Sequence, residues 1–201
     1  MLRAPTVVFM DQWLQGFHDL ITASELNLWL SLKLVAVFWV IHLLNLVLGM
    51  RLNIFGIIPR KRFGLFGIVC SPFLHGNTEH LFFNSIALFI LFDLMLVGGL
   101  KLFILATLMI ILIGDSLVWL FARRGIHIGA SGLIMGYWMF LLVNAYYQHS
   151  VIAVILAVLC LYYLAGLGLS LIPGDVGTSW EAHIFGALGG VLAVYGLQYI
   201  M

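Results

Sequence analysis

The stretch GASGLIMGYWMFLLVNAYY, residues 129–147, sets small residues around Ser131 and then stays apolar far enough to cross a bilayer. A spanning helix takes about 20 such residues. A hydroxyl at the mouth of an apolar span, among glycines that admit a neighbouring helix, decides how the rest of the chain is read. By the same length rule the chain divides into six spans, at 28–49, 80–98, 100–121, 129–147, 151–172 and 181–200. Glycine, proline and charge punctuate the connections, and only the first loop, from Arg51 to about Leu74, is long enough to hold structure. The fold class expected is an all-α membrane protein, a six-helix bundle with a long first loop.

Composition agrees, with 64% hydrophobic and 8% charged residues, where a soluble domain carries roughly a quarter charged. A net charge of +1 leaves no basic footprint for nucleic acid. Arg60, Lys61 and Arg62 form the longest basic run and read as headgroup contacts at the bilayer surface. Cys70 and Cys160 have no metal-ligand spacing, so no disulfide, metal or other cofactor is expected. Residues 1–27 read as a short N-terminal surface segment, since apolar and polar positions alternate there. Arg3, Asp11, Asp19 and Glu25 argue against a cleavable signal. Residues 28–201 then form the membrane domain.

Polar side chains inside spans are costly, so each is a hypothesis. Spans two, four and six run in one direction, which sets their N-terminal ends at one face. His75, His80 and Asn84 open span two, Ser131 opens span four and His183 opens span six. A hydroxyl, imidazoles and an amide at one depth are the parts of an acyl-transfer site. His80 and Asn84, four residues apart, share a helix face, and both side chains carry N–H donors suited to a developing oxyanion. A helix starting at Ser131 adds backbone N–H groups beside the same oxygen. Gly132 with Gly136, and Gly186 with Gly190, are spaced for close approach of spans four and six. Glu79 and Glu181 point away from the histidines near them, so a Ser–His dyad is expected rather than a triad. His75 is expected either to hold the first loop or a water, or to donate to the oxyanion. His127 is the rival base. His42 with Asn45 reads as a packed, hydrogen-bonded pair, and Asp93 and Asp115 as residues that cap or pin helix ends.

These residues resemble the bacterial rhomboid proteases in their basic six-helix form. The matching motifs are His75-x4-His80-x3-Asn84, Gly129-Ala130-Ser131-Gly132 and Ala182-His183-x2-Gly186-x3-Gly190, in order over residues 28–201. The resemblance implies a rhomboid-like bundle and a serine endopeptidase. Ser131 would be its nucleophile and His183 its base and acid, with His80, Asn84 and the Ser131 N–H around the oxyanion. It also implies single-pass transmembrane proteins as substrates and the lipid bilayer as surroundings, with neither metal nor nucleic acid as partner. Gly129, Gly132 and His75 are supporting positions. Met135 stands where many rhomboids carry a tyrosine that stacks on the histidine, and no Trp-Arg pair occurs in the first loop.

Orientation divides the signals. Arg51, Arg60, Lys61, Arg62, Arg123 and Arg124 fall on one side and Arg3, Lys33 and Lys101 on the other, which by charge count puts the first loop in the cytoplasm. The resemblance implies the opposite, with the site opening to the extracytoplasmic side of a bacterial plasma membrane. Glycines at 166, 168, 174 and 177 and Pro173 mark residues 166–178 as the expected gate for substrate. The competing readings are a small transporter or channel, which would carry polar residues through the membrane, and an inactive rhomboid-like adaptor that binds transmembrane helices.

Overall fold

The computed structural model describes residues 5–148, 150–164 and 179–200. The expected gate at 166–178 lies outside them, as does the end of span five beyond Leu164. Six long helices are found among the described residues: α1 Pro5–Val47, α2 Thr78–Val97, α3 Leu100–Phe121, α4 Ser131–Gln148, α5 Val151–Leu164 and α6 Trp180–Leu197. Of these α1 (from Met10), α2, α3 and α6 are long and apolar enough to cross a membrane. α4 contains Ser131, Asn144 and Gln148, and only 14 residues of α5 are described.

From Pro5, where the described residues begin, α1 runs without a break across the expected boundary at residue 27. Its first half lies on the bundle: Gly16 faces Val151 and Ile155 of α5, and Ser24 donates to Asp93 of α2. α1 ends where Gly49 and Met50 take left-handed backbone (φ 62° and 61°), the usual helix stop. Its outward face is apolar, with Val40, Leu43, Leu44 and Val47 exposed. Lipid tails solvate such a surface, whereas water would not.

α3 contains a π-helical turn at Ile111–Asp115. Asp115 accepts from Ser71 Oγ at 3.1 Å, tying the first loop to mid-α3. Asp93 and Asp115 therefore pin neighbouring segments rather than their own helix ends, because a carboxyl in the bundle needs a donor from across the interface. The interior is aromatic: Phe92, Phe103 and Tyr137 pack ring to ring, and the Tyr137 hydroxyl lies 2.6 Å from Thr107 Oγ1.

The first loop folds back on itself in short helical turns between Arg51 and Phe73. Asn45, at the end of α1, accepts from Leu52 N (2.9 Å) and donates to Asn53 Oδ1 (2.8 Å), while His42 pairs with Thr78 Oγ1 (3.1 Å). Ile57 and His127 exchange both backbone hydrogen bonds at 2.9 Å, joining this loop to the α3–α4 connection. The segment before α4 is thereby fixed from outside the helix it precedes.

Candidate active site

Asn77 caps α2, its side chain accepting from His80 N at 2.7 Å, which puts His80 in the first turn and Asn84 one turn below. Ser131 is the first residue of α4, so the N–H groups of its first turn have no partner within the helix. Ser179 caps α6 through Ala182 N, and His183 sits in the first turn. Ser131, His183 and His80 are half-buried, whereas Asn84 and His75 are buried.

α4 and α6 meet backbone to backbone. A β-carbon added at Gly186 would run into the Gly132 carbonyl oxygen, and one added at Gly190 into that of Gly136. One added at Gly132 would stand 3.1 Å from the Ala182 carbonyl oxygen. The residue after Ser131 thus lies against the residue before His183. Any side chain at this crossing would separate the two first turns. α3 joins the same contact, since a β-carbon on Gly114 would lie 3.2 Å from Gly186 Cα.

The other polar groups gather round this crossing. Gly129 has φ 123°, and a β-carbon there would stand 2.9 Å from His80 Cε1, so only glycine fits both the backbone and the imidazole. Its N–H donates to Ser71 O at 2.9 Å. Met135 is buried one turn into α4.

His75 takes a part that the sequence left open. Its Nε2 lies 3.1 Å from Asn84 Nδ2 and 3.4 Å from Ala130 N, both donors, so it acts there as an acceptor and cannot donate from that nitrogen. Its ring also meets that of His80 edge-on at 5.2 Å. Burial first, then the neighbouring His80 and His42, push the His75 imidazole down to about 3, which keeps the acceptor neutral. Nδ1 is buried, without a hydrogen-bond partner among the described residues. The resulting chain runs from Ala130, beside Ser131, through His75 to Asn84.

His127 stands apart from this cluster. Its Nδ1 lies 2.6 Å from Ser179 Oγ and its Nε2 2.9 Å from Arg123 O, so both ring nitrogens are engaged in tethering the start of α6 to the α3–α4 connection. Ser71 was missed in the sequence, though it supports Gly129 through its carbonyl and Asp115 through its hydroxyl. The adjacent Pro72 was the one local hint of a fixed turn. Among the described residues no group of three or more His, Cys, Asp or Glu is arranged to hold a metal.

Residues 62–200 match the Rhomboid domain. Uncharacterized proteins of Mycobacterium tuberculosis and Mycobacterium bovis are 37% identical to this chain over 176 residues, which is 83% of this chain and 73% of theirs. One from Mycobacterium leprae is 35% identical over 176 residues, 83% of this chain and 70% of its own length.

Proposed function

As the chain belongs to the rhomboid family, we propose that it is an intramembrane serine endopeptidase that cuts transmembrane segments of membrane proteins with a Ser131–His183 dyad. The observation that carries this reading is the glycine crossing of α4 on α6, which sets the first turn bearing Ser131 against the one bearing His183. Its membrane is the bacterial plasma membrane, with the site open to the extracytoplasmic side, and its substrates are single-pass proteins.

In the proposed reaction Ser131 Oγ attacks the scissile carbonyl carbon while His183 takes its proton. The oxyanion receives hydrogen bonds from the Ser131 N–H, His80 and Asn84, donors already fixed before charge develops. His183 then protonates the leaving amine, and the same imidazole draws a proton from the water that hydrolyses the acyl-enzyme. Glu181 is held by Arg123 at 3.1 Å, so the acid nearest His183 in sequence has another partner.

A fluorophosphonate or isocoumarin probe is expected to modify Ser131, located by mass spectrometry of the labelled protein. Ser131→Ala and His183→Ala are expected to be equally inactive on a transmembrane substrate, and the double variant no worse, because the pair acts as one unit. Turnover retained by purified Ser131→Ala protein overturns the dyad.

A further inference from the structure

The basic residues of the first loop have no part in this chemistry, yet the fold assembles them with care. Arg60 N donates to Trp119 O at 3.0 Å, and its guanidinium donates to Leu120 O at 3.0 Å and Ala122 O at 2.9 Å. Trp119 Nε1 returns a hydrogen bond to Lys61 O at 2.9 Å. Arg60 holds this position at φ 59°, a backbone conformation that non-glycine residues rarely adopt. These bonds bring Arg60-Lys61-Arg62 beside Arg123-Arg124, residues some 60 positions away in the chain.

Between them lies a cleft of about 410 Å³, lined by Ile58, Pro59, Arg60, Lys61, Arg124 and Gly125. Arg123 is answered by Glu181 and the Arg60 guanidinium by helix-end carbonyls. Lys61 and Arg124 are exposed at the cleft and left to act on something else. Cations gathered in so small a space repel one another, and an anion between them removes the repulsion.

The surroundings select the kind of anion. In the same loop, from two residues beyond Lys61, Phe63 packs tilted against Phe55 and edge-on against Phe66 with ring centroids 5.8 and 5.9 Å apart, and all three are exposed, as are Leu65 and Val69. A free anion gains nothing from such an apolar flank, whereas an amphiphile engages both parts at once. We propose that this cleft is a binding site for an anionic phospholipid, its phosphate held by Lys61 and Arg124 and its acyl chains lying along the Phe55–Phe63–Phe66 face. Arg60 is the positioning residue of the site, since its guanidinium shapes the cleft through Leu120 and Ala122.

Binding of short-chain phosphatidylglycerol to the purified full-length protein tests this without reference to cleavage. The double variant Lys61→Gln/Arg124→Gln is expected to bind roughly 30-fold more weakly, about fivefold for each charge removed. Lys33→Gln/Lys101→Gln, which removes the same charge elsewhere, is expected to bind within twofold of the unaltered protein. Short-chain phosphatidylcholine is expected to bind weakly and equally to all three. Should the double variant fail to fold, Arg124→Gln alone carries the test at about fivefold. Equal binding by the cleft variants and the unaltered protein overturns the proposal. Inorganic phosphate binding as tightly as the lipid would make the cleft a simple anion site and overturn the lipid assignment. An acidic peptide that displaces the lipid at lower concentration than the lipid itself binds would reassign the cleft to a protein partner.

Discussion

The carboxamide nitrogen of Asn84 lies 3.1 Å from Nε2 of His75, so an amide assigned to an oxyanion is held in place by an imidazole nine residues earlier in the chain. His75 Nε2 also accepts from the N–H of Ala130, next to Ser131, at 3.4 Å. One buried acceptor therefore sets the relation between the start of α4 and the second turn of α2. That relation depends on His75 staying neutral.

The pH dependence of stability follows from this. An unperturbed histidine titrates near 6.5, while folded His75 titrates at about 3. Between those values the unfolded chain binds a proton that the folded chain refuses, so stability falls as pH drops from 6.5 toward 3 and is unaffected by His75 above that window. Thermal unfolding in detergent is expected to show this acid sensitivity. In His75→Gln, which keeps an acceptor but does not titrate, the loss over that window is expected to be smaller; equal curves for the two proteins refute the assignment.

Gly186→Ala and Gly190→Ala push a methyl group into the carbonyls of Gly132 and Gly136. Overpacking of this kind costs about 1–3 kcal/mol, and here it also drives α4 from α6. Both variants are expected to melt earlier and to lose cleavage. Gly76→Ala, where nothing lies within 4 Å of the added carbon, is the control and should melt as the unaltered protein does.

Gly129→Ala acts on chemistry as well as on folding. The added carbon strikes His80 Cε1 and the backbone must hold φ 123°. Displacing a group by about 1 Å is worth on the order of 10²-fold in rate. Steady-state kinetics on a transmembrane substrate should show that loss in kcat, with KM much less changed; a change confined to KM would assign His80 to substrate binding.

Ser71→Ala removes the hydroxyl that donates to Asp115 inside the bundle. A buried acceptor left without its donor costs about 1–3 kcal/mol. The variant is expected to melt earlier, and Ser71→Ala combined with Asp115→Leu, which removes both polar partners, should recover part of the difference. No recovery in the double variant would mean that Asp115 has another use.

The helical membrane class, the order of the long helices and the residues that open α2, α4 and α6 were legible in the amino-acid sequence. Those features rest on local quantities: the length of apolar runs and the four-residue spacing of Gly132 with Gly136 and of Gly186 with Gly190. Helix limits moved by only a few residues, as at Thr78, where Asn77 caps the helix, and at Ser131. The continuity of α1 from Pro5 was less legible, because its alternating polar residues suit a surface helix as well as one lying along the bundle.

Which polar groups face each other was settled by packing across the bundle. His75 and His127 are both buried histidines flanking the site in sequence, yet one accepts from Ala130 and Asn84 while the other tethers Ser179 to Arg123. Nothing local distinguishes them, since a hydrogen bond depends on where a distant segment puts its partner. The meeting of Ser71 with Asp115 and of Arg60 with the end of α3 has the same origin. In a low-dielectric interior an unpaired polar group is expensive, so packing selects the arrangement in which these groups find one another, and that selection acts on the whole bundle rather than on any one stretch of sequence.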